Sequence, residues 1–200
     1  MRAEVASRED VPAISASLAL AFEDDPVMAY LLPGGNRPRL AKMQRWFTGA
    51  LRIQHLPHGL VFTDDQRRSA ALWDPPGHWR MTVGQILRAG PWVFPAFAQN
   101  IPKALRALSL VERRHPTQPH YYLAVLGTAP AHQGRGLASL TLAPVLERCD
   151  RDGMPAYLES SKESNIAFYR RHGFEVTGEI ELPKGPCVWP MWREPRPPGS

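Results

Sequence analysis

Thr128-Ala129-Pro130-Ala131-His132-Gln133-Gly134-Arg135-Gly136-Leu137-Ala138 stands between an apolar run, Tyr121-Tyr122-Leu123-Ala124-Val125-Leu126, and a helical pattern that continues to about Asp152. The apolar run reads as a strand, so the glycines fall at a strand-to-helix junction. Glycine lets the chain turn its N–H groups toward one point there, and the helix dipole adds positive potential, so the loop suits an anion, most naturally a diphosphate. Three phosphate-binding loops compete for the segment. The nucleoside triphosphate loop requires Gly, four residues and Gly-Lys-Ser/Thr, and no such spacing occurs here. The dinucleotide fingerprint is half met by Gly134-x-Gly136, but its third glycine position holds Ser139, and too little chain follows Gly136 to complete a doubly wound domain. The coenzyme A loop, Arg/Gln-x-x-Gly-x-Gly/Ala, is met in full by Gln133, Gly136 and Ala138.

Working outward, Ala156-Tyr157-Leu158-Glu159 reads as a second strand and residues 165–172 as a helix. Residues 174–182 and 188–192 read as a hairpin around Pro183-Lys184-Gly185-Pro186. In the amino half, residues 2–7 form a short strand, and Ser7 ahead of Asp10 resembles a helix cap. The helix that follows carries Val11, Ile14, Leu18, Ala21 and Phe22 on one face, and Glu23-Asp24-Asp25-Pro26 closes it as an acidic loop. A second helix is expected over 38–56, with Leu40, Met43, Trp46, Phe47, Ala50, Leu51 and Ile53 as its apolar stripe. Residues 59–62 and 70–73 read as a hairpin around Asp64-Asp65-Gln66-Arg67-Arg68. Residues 80–118 then change character, with helical patches over 81–89, 91–99 and 101–114 broken at Gly90-Pro91 and Pro102. They read as a helical insertion before the central strand. Trp79, Trp92, Phe94 and Phe97 are expected either to line a substrate pocket or to pack on the main core. The pattern is α/β.

The bulk properties agree. At 200 residues and 22.4 kDa the chain is expected to form one domain over 1–194, with a flexible tail over 195–200. Cys149 and Cys187 exclude a disulfide scaffold and leave too few thiols for a cysteine-rich zinc site, so a reduced cytoplasmic setting is expected. The histidines show no metal-ligand spacing, and no metal is expected. A net charge of +5 comes from arginines scattered along the chain without a basic block, which points to a solvated surface rather than a nucleic-acid face. No apolar run approaches the ~20 residues that cross a bilayer, so no membrane partner is expected.

The loop at 128–138 together with Asn165-Ile166-Ala167-Phe168-Tyr169-Arg170-Arg171-His172-Gly173-Phe174 resembles the paired motifs of the GNAT superfamily of N-acetyltransferases. The resemblance covers residues 120–192, and the amino half is compatible with the same fold. Within the superfamily, His132-Gln133-Gly134, Pro155-Ala156-Tyr157-Leu158-Glu159-Ser160-Ser161 and Glu181-Leu182-Pro183-Lys184-Gly185-Pro186 are similar to the puromycin N-acetyltransferase group. The resemblance implies a mixed, mostly antiparallel sheet, flanked by helices and splayed at its centre, with the pantetheine arm of acetyl-CoA in the gap. It implies that Leu126, Gly127 and Thr128 pair with that arm through their backbone. Gln133, Gly134, Arg135, Gly136, Leu137 and Ala138 would hold the diphosphate, extended by Ser139, and Asn165 would touch the coenzyme. Tyr169 becomes the candidate general acid for the departing thiolate, because a phenol stays protonated at neutral pH.

The base has three candidates, namely Glu159, the acidic cluster, or His120 through a water. Glu23, Asp24, Asp25, Tyr30, Trp79 and Trp92 are candidates for acceptor binding. Cys149 has no activating partner in the sequence, so direct transfer is expected in place of an acetyl-cysteine. The expected activity is acetyl transfer to an amine of a small molecule, such as an aminoacyl nucleoside or other antibiotic-like compound, by a monomer or homodimer. The alternatives are acetylation of a protein or peptide amine and a non-catalytic acyl-CoA sensor.

Overall fold

The computed structural model describes residues 2–32 and 34–196. Strand β1 (Ala3–Val5) leads into α1 (Val11–Ala21), α2 (Pro26–Leu31) and α3 (Asn36–Ala50). The hairpin β2 (Val61–Asp64) and β3 (Ser69–Asp74) follows, then α4 (Val83–Phe97) and α5 (Ile101–Arg114). The carboxyl half comprises β4 (Tyr121–Thr128), α6 (Leu137–Asp152), β5 (Ala156–Ser160), α7 (Ile166–Arg171), β6 (Glu175–Val176), β7 (Ile180–Glu181) and β8 (Cys187–Arg193). The sheet order is β1-β2-β3-β4-β5-β8-β6, with β7 joined to β8. Every pair is antiparallel except β4 with β5. This is the mixed, mostly antiparallel α/β arrangement expected.

The strands sort their side chains by face. Ala70 and Leu72 of β3 join α1, α3 and α4 in one core, whereas Ala71 and Trp73 join α6 and α7 in the other. Complete burial of groups such as Phe47, Leu18, Trp73 and Phe174 stabilises the fold by about 1.5–3 kcal/mol for each large apolar side chain. Strand β4 changes faces midway. The register runs Leu72↔Val125 and then Trp73↔Leu123, so Ala124 is an extra residue. This bulge puts Tyr121 and Leu123 in the α6 core but Val125 in the α1 core. A bulge adds local twist and re-aims the strand. Parallel pairing of β4 with β5 spans only Tyr121↔Ala156 to Leu123↔Leu158, ending where the bulge begins. Beyond it the two strands diverge.

Several local expectations are corrected. The acidic stretch does not end in a plain loop, because Asp25 caps α2 by accepting from the Met28 amide at 2.9 Å. Asp10, not Ser7, occupies the N-cap position of α1, and its carboxylate takes the Ser7 amide (2.7 Å) and Arg67 (2.8 Å). The second helix is α-helical only to Ala50 and then widens into a π turn over Leu51–His55 and a 3₁₀ turn over Leu56–His58. That widening delivers Gln54 and His55 to Asp74, at 2.9 and 2.7 Å. Gly90-Pro91 does not break the insertion: α4 runs through Pro91 and Pro95, both exposed, where water can satisfy the carbonyls the prolines leave free. The last hairpin is interrupted over residues 177–179. Pro190 of β8 offers no N–H there, while its carbonyl accepts from the Thr177 amide (2.9 Å). Of the tail expected to be flexible, residues 197–200 lie outside the described residues, and the Arg196 amide donates to Asp150 at 2.7 Å.

The insertion is anchored on α3 by close packing. A Cβ on Gly49 would stand 2.6 Å from the Cβ of Trp92, so only glycine allows that approach. Gly49→Ala is expected to cost about 1–3 kcal/mol by overpacking and to lower Tm by several degrees. Gly84→Ala, in the same insertion with nothing within 4 Å of its added methyl, is expected to gain about 0.5–1 kcal/mol. Thermal denaturation of the two variants reads the difference in sign.

Candidate active site

The divergence of β4 from β5 opens a cavity of about 600 Å³. One wall is Leu123 to Thr128 of β4, the other Leu158 to Lys162 at the end of β5. Phe22, Asp24 and Asp25 after α1, Val111 of α5, and Ser164, Asn165, Phe168 and Tyr169 around α7 complete it. Gly127 has a second reason to be glycine. A Cβ there would meet Leu18, Ala21 and Phe22 at 2.9–3.1 Å, so the end of α1 rests directly on the β4 backbone.

The glycine loop has the conformation its sequence implied. Gly134 and Gly136 take φ of +74° and +76°, in the left-handed region, and a Cβ on either would meet nothing within 4 Å. Backbone geometry therefore demands glycine, and the space in front of the loop is open. Gly136 is the N-cap of α6 and brings no side-chain cap, which leaves the first-turn N–H groups available to an anion. Leu137, buried, anchors that turn. Gln133 and Ala138 line the cavity, and the Gln133 amide donates to the Thr128 carbonyl at 3.1 Å, tying loop to strand. Arg135 is exposed beside the loop. The Ser139 hydroxyl is engaged by His172 Nε2 at 3.0 Å. A turn with open N–H groups, leading into a cleft between unpaired strand edges, fits a diphosphate with an extended arm.

Tyr169 is buried on the cavity wall. Burial, and then the charge of Asp25, raises its phenol well above the ordinary value, so it remains protonated throughout the neutral range. Asp25 is itself buried and its acid is raised by desolvation, against hydrogen bonds from Ser161 and the Met28 amide. Asp24, at the rim, is held low by Lys162 at 2.5 Å. Glu159 lines the cavity with its side chain 8% exposed. Its Oε2 accepts from the Tyr122 hydroxyl at 2.8 Å, while its Oε1 has no hydrogen-bond partner and lies 3.5 Å from His115 Nδ1. Desolvation, reinforced by Glu159, raises the Tyr122 phenol, so it serves as a standing donor. Cys149 lies in the α6 core away from the cavity, its thiol pushed up to about 12 by burial, and no thiolate is available there.

The structure brings together most of the residues singled out from the sequence and separates the rest. Leu126, Gly127, Thr128, Gln133, Ala138, Asn165, Tyr169, Glu159, Asp24 and Asp25 share one cavity. Glu23, Tyr30, Trp79 and Trp92 stand outside its wall. Glu23 presents its carbonyl to Arg39 at 2.9 Å. Tyr30 packs on Gly185, donates to the Pro183 carbonyl at 2.8 Å and lies under Lys103, so it clamps α2 to α5 and to the turn before β8. Trp92 packs on Gly49, and Trp79 stacks on His115 with ring centroids 3.6 Å apart. Sequence reasoning missed His115 and Tyr122. Strand alternation places Tyr122 opposite Tyr121 and Leu123, a detectable signal, but nothing local distinguishes His115 from a surface histidine. Among the described residues no three His, Cys, Asp or Glu are arranged to hold a metal ion, and no helix is long and apolar enough to cross a membrane.

Comparison with known proteins agrees with this geometry. Residues 60–174 match the model of the acetyltransferase (GNAT) family. The chain is 29% identical over 210 residues to an uncharacterized N-acetyltransferase of Schizosaccharomyces pombe, covering 98% of this chain and 84% of that protein. It is 30% identical over 184 residues to the mycothiol acetyltransferase of Brachybacterium faecium, covering 78% of this chain and 55% of that enzyme's length. The crystal structure of a histone acetyltransferase HPA2 and related acetyltransferase from Corynebacterium glutamicum superposes with a TM-score of 0.74 at 25% identity, covering 100% of this chain and 98% of that one.

An alanine at Gly136 would be forced into the left-handed region at a cost of about 1–2 kcal/mol, or would turn the N–H groups away from the ligand. Gly136→Ala is expected to weaken coenzyme A binding about tenfold or more by calorimetry. Gly178→Ala, in open space and without positive φ, leaves the affinity unchanged.

Proposed function

Because the chain belongs to the GNAT family of acetyltransferases, we propose that this N-acetyltransferase moves an acetyl group directly onto the primary amine of a small, cationic molecule. The observation that carries this reading is the cavity opened where β4–β5 pairing stops at Leu123↔Leu158, with Gln133 and Ala138 of the glycine loop and the carboxylates of Asp24, Asp25 and Glu159 all on its wall. Acetyl-CoA, the donor used by the family, supplies the acyl group as an activated thioester.

The charge of the cavity supports a cationic acceptor. Its wall carries Asp24, Asp25 and Glu159 against a single cation, Lys162, which is paired with Asp24. A low-dielectric cleft of that sign concentrates an alkylammonium and penalises an anionic acceptor. Val111 brings the inserted helix α5 to the wall, and closure from that side favours a compact acceptor over a long peptide. The names of the relatives span small-molecule and histone acetyltransferases, so cavity shape and charge, not kinship, support the small acceptor. Likeness in three short stretches to the puromycin N-acetyltransferase group makes an aminoacyl nucleoside one of the acceptors to be tried.

Two groups of this chain serve the proton transfers. Glu159 takes a proton from the bound ammonium, leaving a neutral amine able to attack. Tyr169 gives its phenolic proton to the departing sulfur. A phenol raised so far is a weak donor on its own, so it acts best as a relay, reprotonated by the amine nitrogen as that nitrogen becomes cationic on attack. Backbone N–H groups of β4 beyond the bulge lack a strand partner on the β5 side and face the cleft, where they can steady charge on the carbonyl oxygen. Direct transfer agrees with the burial of Cys149 in the α6 core, away from the cavity.

The test is thiol release from acetyl-CoA over a panel of spermidine, tryptamine, puromycin and a lysine-containing peptide. Turnover is expected with one or more of the three small amines, and turnover with the peptide alone would overturn the acceptor class. Tyr169→Phe is expected to lower kcat about 10²-fold with coenzyme A affinity unchanged. Wild-type kcat in a folded variant would remove the acid role.

A further inference from the structure

Beside the cavity, behind Glu159, lie two buried histidines in the segment joining α5 to β4. His115 Nε2 and His120 Nε2 are 3.0 Å apart, His120 Nδ1 lies 2.6 Å from the Gln118 carbonyl, and His115 Nδ1 faces Glu159 Oε1 at 3.5 Å. The direction of these contacts follows from what each atom can do. A carbonyl only accepts, so His120 Nδ1 carries a hydrogen and, in a neutral ring, His120 Nε2 is the acceptor. His115 Nε2 must then donate, which leaves His115 Nδ1 as a bare lone pair aimed at the carboxylate. Two acceptors face one another across a slot that wants one proton. The same slot explains why Glu159 Oε1 is buried without a hydrogen-bond partner.

We propose that His115 and His120 are positioning residues that extend Glu159 into a buried proton-holding triad, in which the proton removed from the ammonium comes to rest between Glu159 Oε1 and His115 Nδ1. This inference rests on Glu159 as the base of the transfer reaction. The step balances: an N–H bond of the ammonium breaks and an O–H bond forms at Glu159, and the proton shifts to His115 Nδ1, giving carboxylate beside imidazolium. The second proton lost by the nitrogen leaves with the thiol through Tyr169. The triad returns its proton to water when products depart. His120, with its tautomer fixed by Gln118, holds the hydrogen of neutral His115 on Nε2, so that Nδ1 presents its lone pair to Glu159, and the same hydrogen bond steadies the imidazolium once it forms. Trp79 covers the imidazole face at 3.6 Å between centroids, supporting positive charge there.

The other ionisable groups facing the triad do not compete for its proton. Tyr122 already donates to Glu159 Oε2, the Tyr157 phenol is raised by burial and then by the neighbouring Glu159 so that it keeps its own proton, and Asp74 is engaged by His55 and Gln54. Arg80 lies over Trp79 on the outside of the cluster. Desolvation, ahead of repulsion from His115, lowers the affinity of His120 for a second proton, in keeping with a neutral ring.

The test has an arm that needs no acceptor. Long-range ¹H–¹⁵N correlation spectra of the wild-type protein at pH 8, assigned with His115→Asn and His120→Asn, are expected to show neutral rings with the hydrogen on Nδ1 of His120 and on Nε2 of His115. A hydrogen on His115 Nδ1 at that pH overturns the proposal. In kinetics with acetyl-CoA and the fastest amine of the panel, Glu159→Gln is expected to lose kcat about 10²–10⁴-fold. His115→Asn loses about tenfold, and the acid limb of its rate profile moves to lower pH. The sign follows because a base works only when unprotonated, and a carboxylate that has lost the second acceptor across the slot holds a proton less tightly than the pair does. His115→Asn at wild-type rate with an unmoved acid limb, alongside a crippled Glu159→Gln, overturns the triad alone. Glu159→Gln at wild-type rate overturns both the triad and the base assignment, and calorimetry with coenzyme A confirms that each variant is folded.

Discussion

The molecule depends on one failure of pairing. Two parallel strands in the middle of a sheet normally hydrogen-bond along their common length, because a buried unpaired N–H or C=O costs free energy. Here β4 and β5 keep only three residue pairs, and β4 runs on with one edge open toward the cleft. The extra residue at Ala124 is the local cause: it rotates the strand so that its second half faces α1 and its first half faces α6. An edge of this kind inside a domain is tolerable only if something else pairs with it. A ligand bearing amide groups of its own meets that demand, which ties the backbone chemistry of the sheet to the choice of cosubstrate.

The cleft carries charge of two kinds. Two left-handed glycines and an uncapped helix start present N–H groups, a positive potential without a formal charge. Elsewhere on the wall three carboxylates meet one lysine. The three carboxylates are not interchangeable. Asp24 pairs with Lys162, Asp25 caps a helix and loads the electrostatics of Tyr169, and Glu159 carries a buried oxygen without a hydrogen-bond partner.

Much of this was legible in the sequence, and the reasons are physical. Glycines at 134 and 136 are demanded by backbone geometry, so they leave a fixed mark, and the strand-loop-helix context around them is set by local periodicity. Tyr169, Glu159 and Asn165 sit within a few residues of such marks. The aromatic residues that failed to reach the cavity, Tyr30, Trp79 and Trp92, were chosen for what aromatic rings can do in general, and rings serve packing as readily as binding. Tyr30 became a clamp over Gly185 and Trp92 a wedge against Gly49, because nothing in a single residue type reports its distant neighbour. His115 is the converse. Its role arises from the pairing of Tyr122 with Tyr157 and from a backbone carbonyl at Gln118, contacts that only the folded chain creates. Gly90-Pro91 misled for a related reason, since the local cost of a proline in a helix can be outweighed by the packing of the rest of that helix, here on α3.

The seating of Trp92 in the notch left by Gly49 makes the inserted helices and α3 mutually dependent. Without residues 80–118, a glycine at the carboxyl end of α3 would leave a dent in that helix, open to water. The length of the insertion and the volume of one side chain on a different helix are therefore coupled characters, to be exchanged between homologous scaffolds together or not at all.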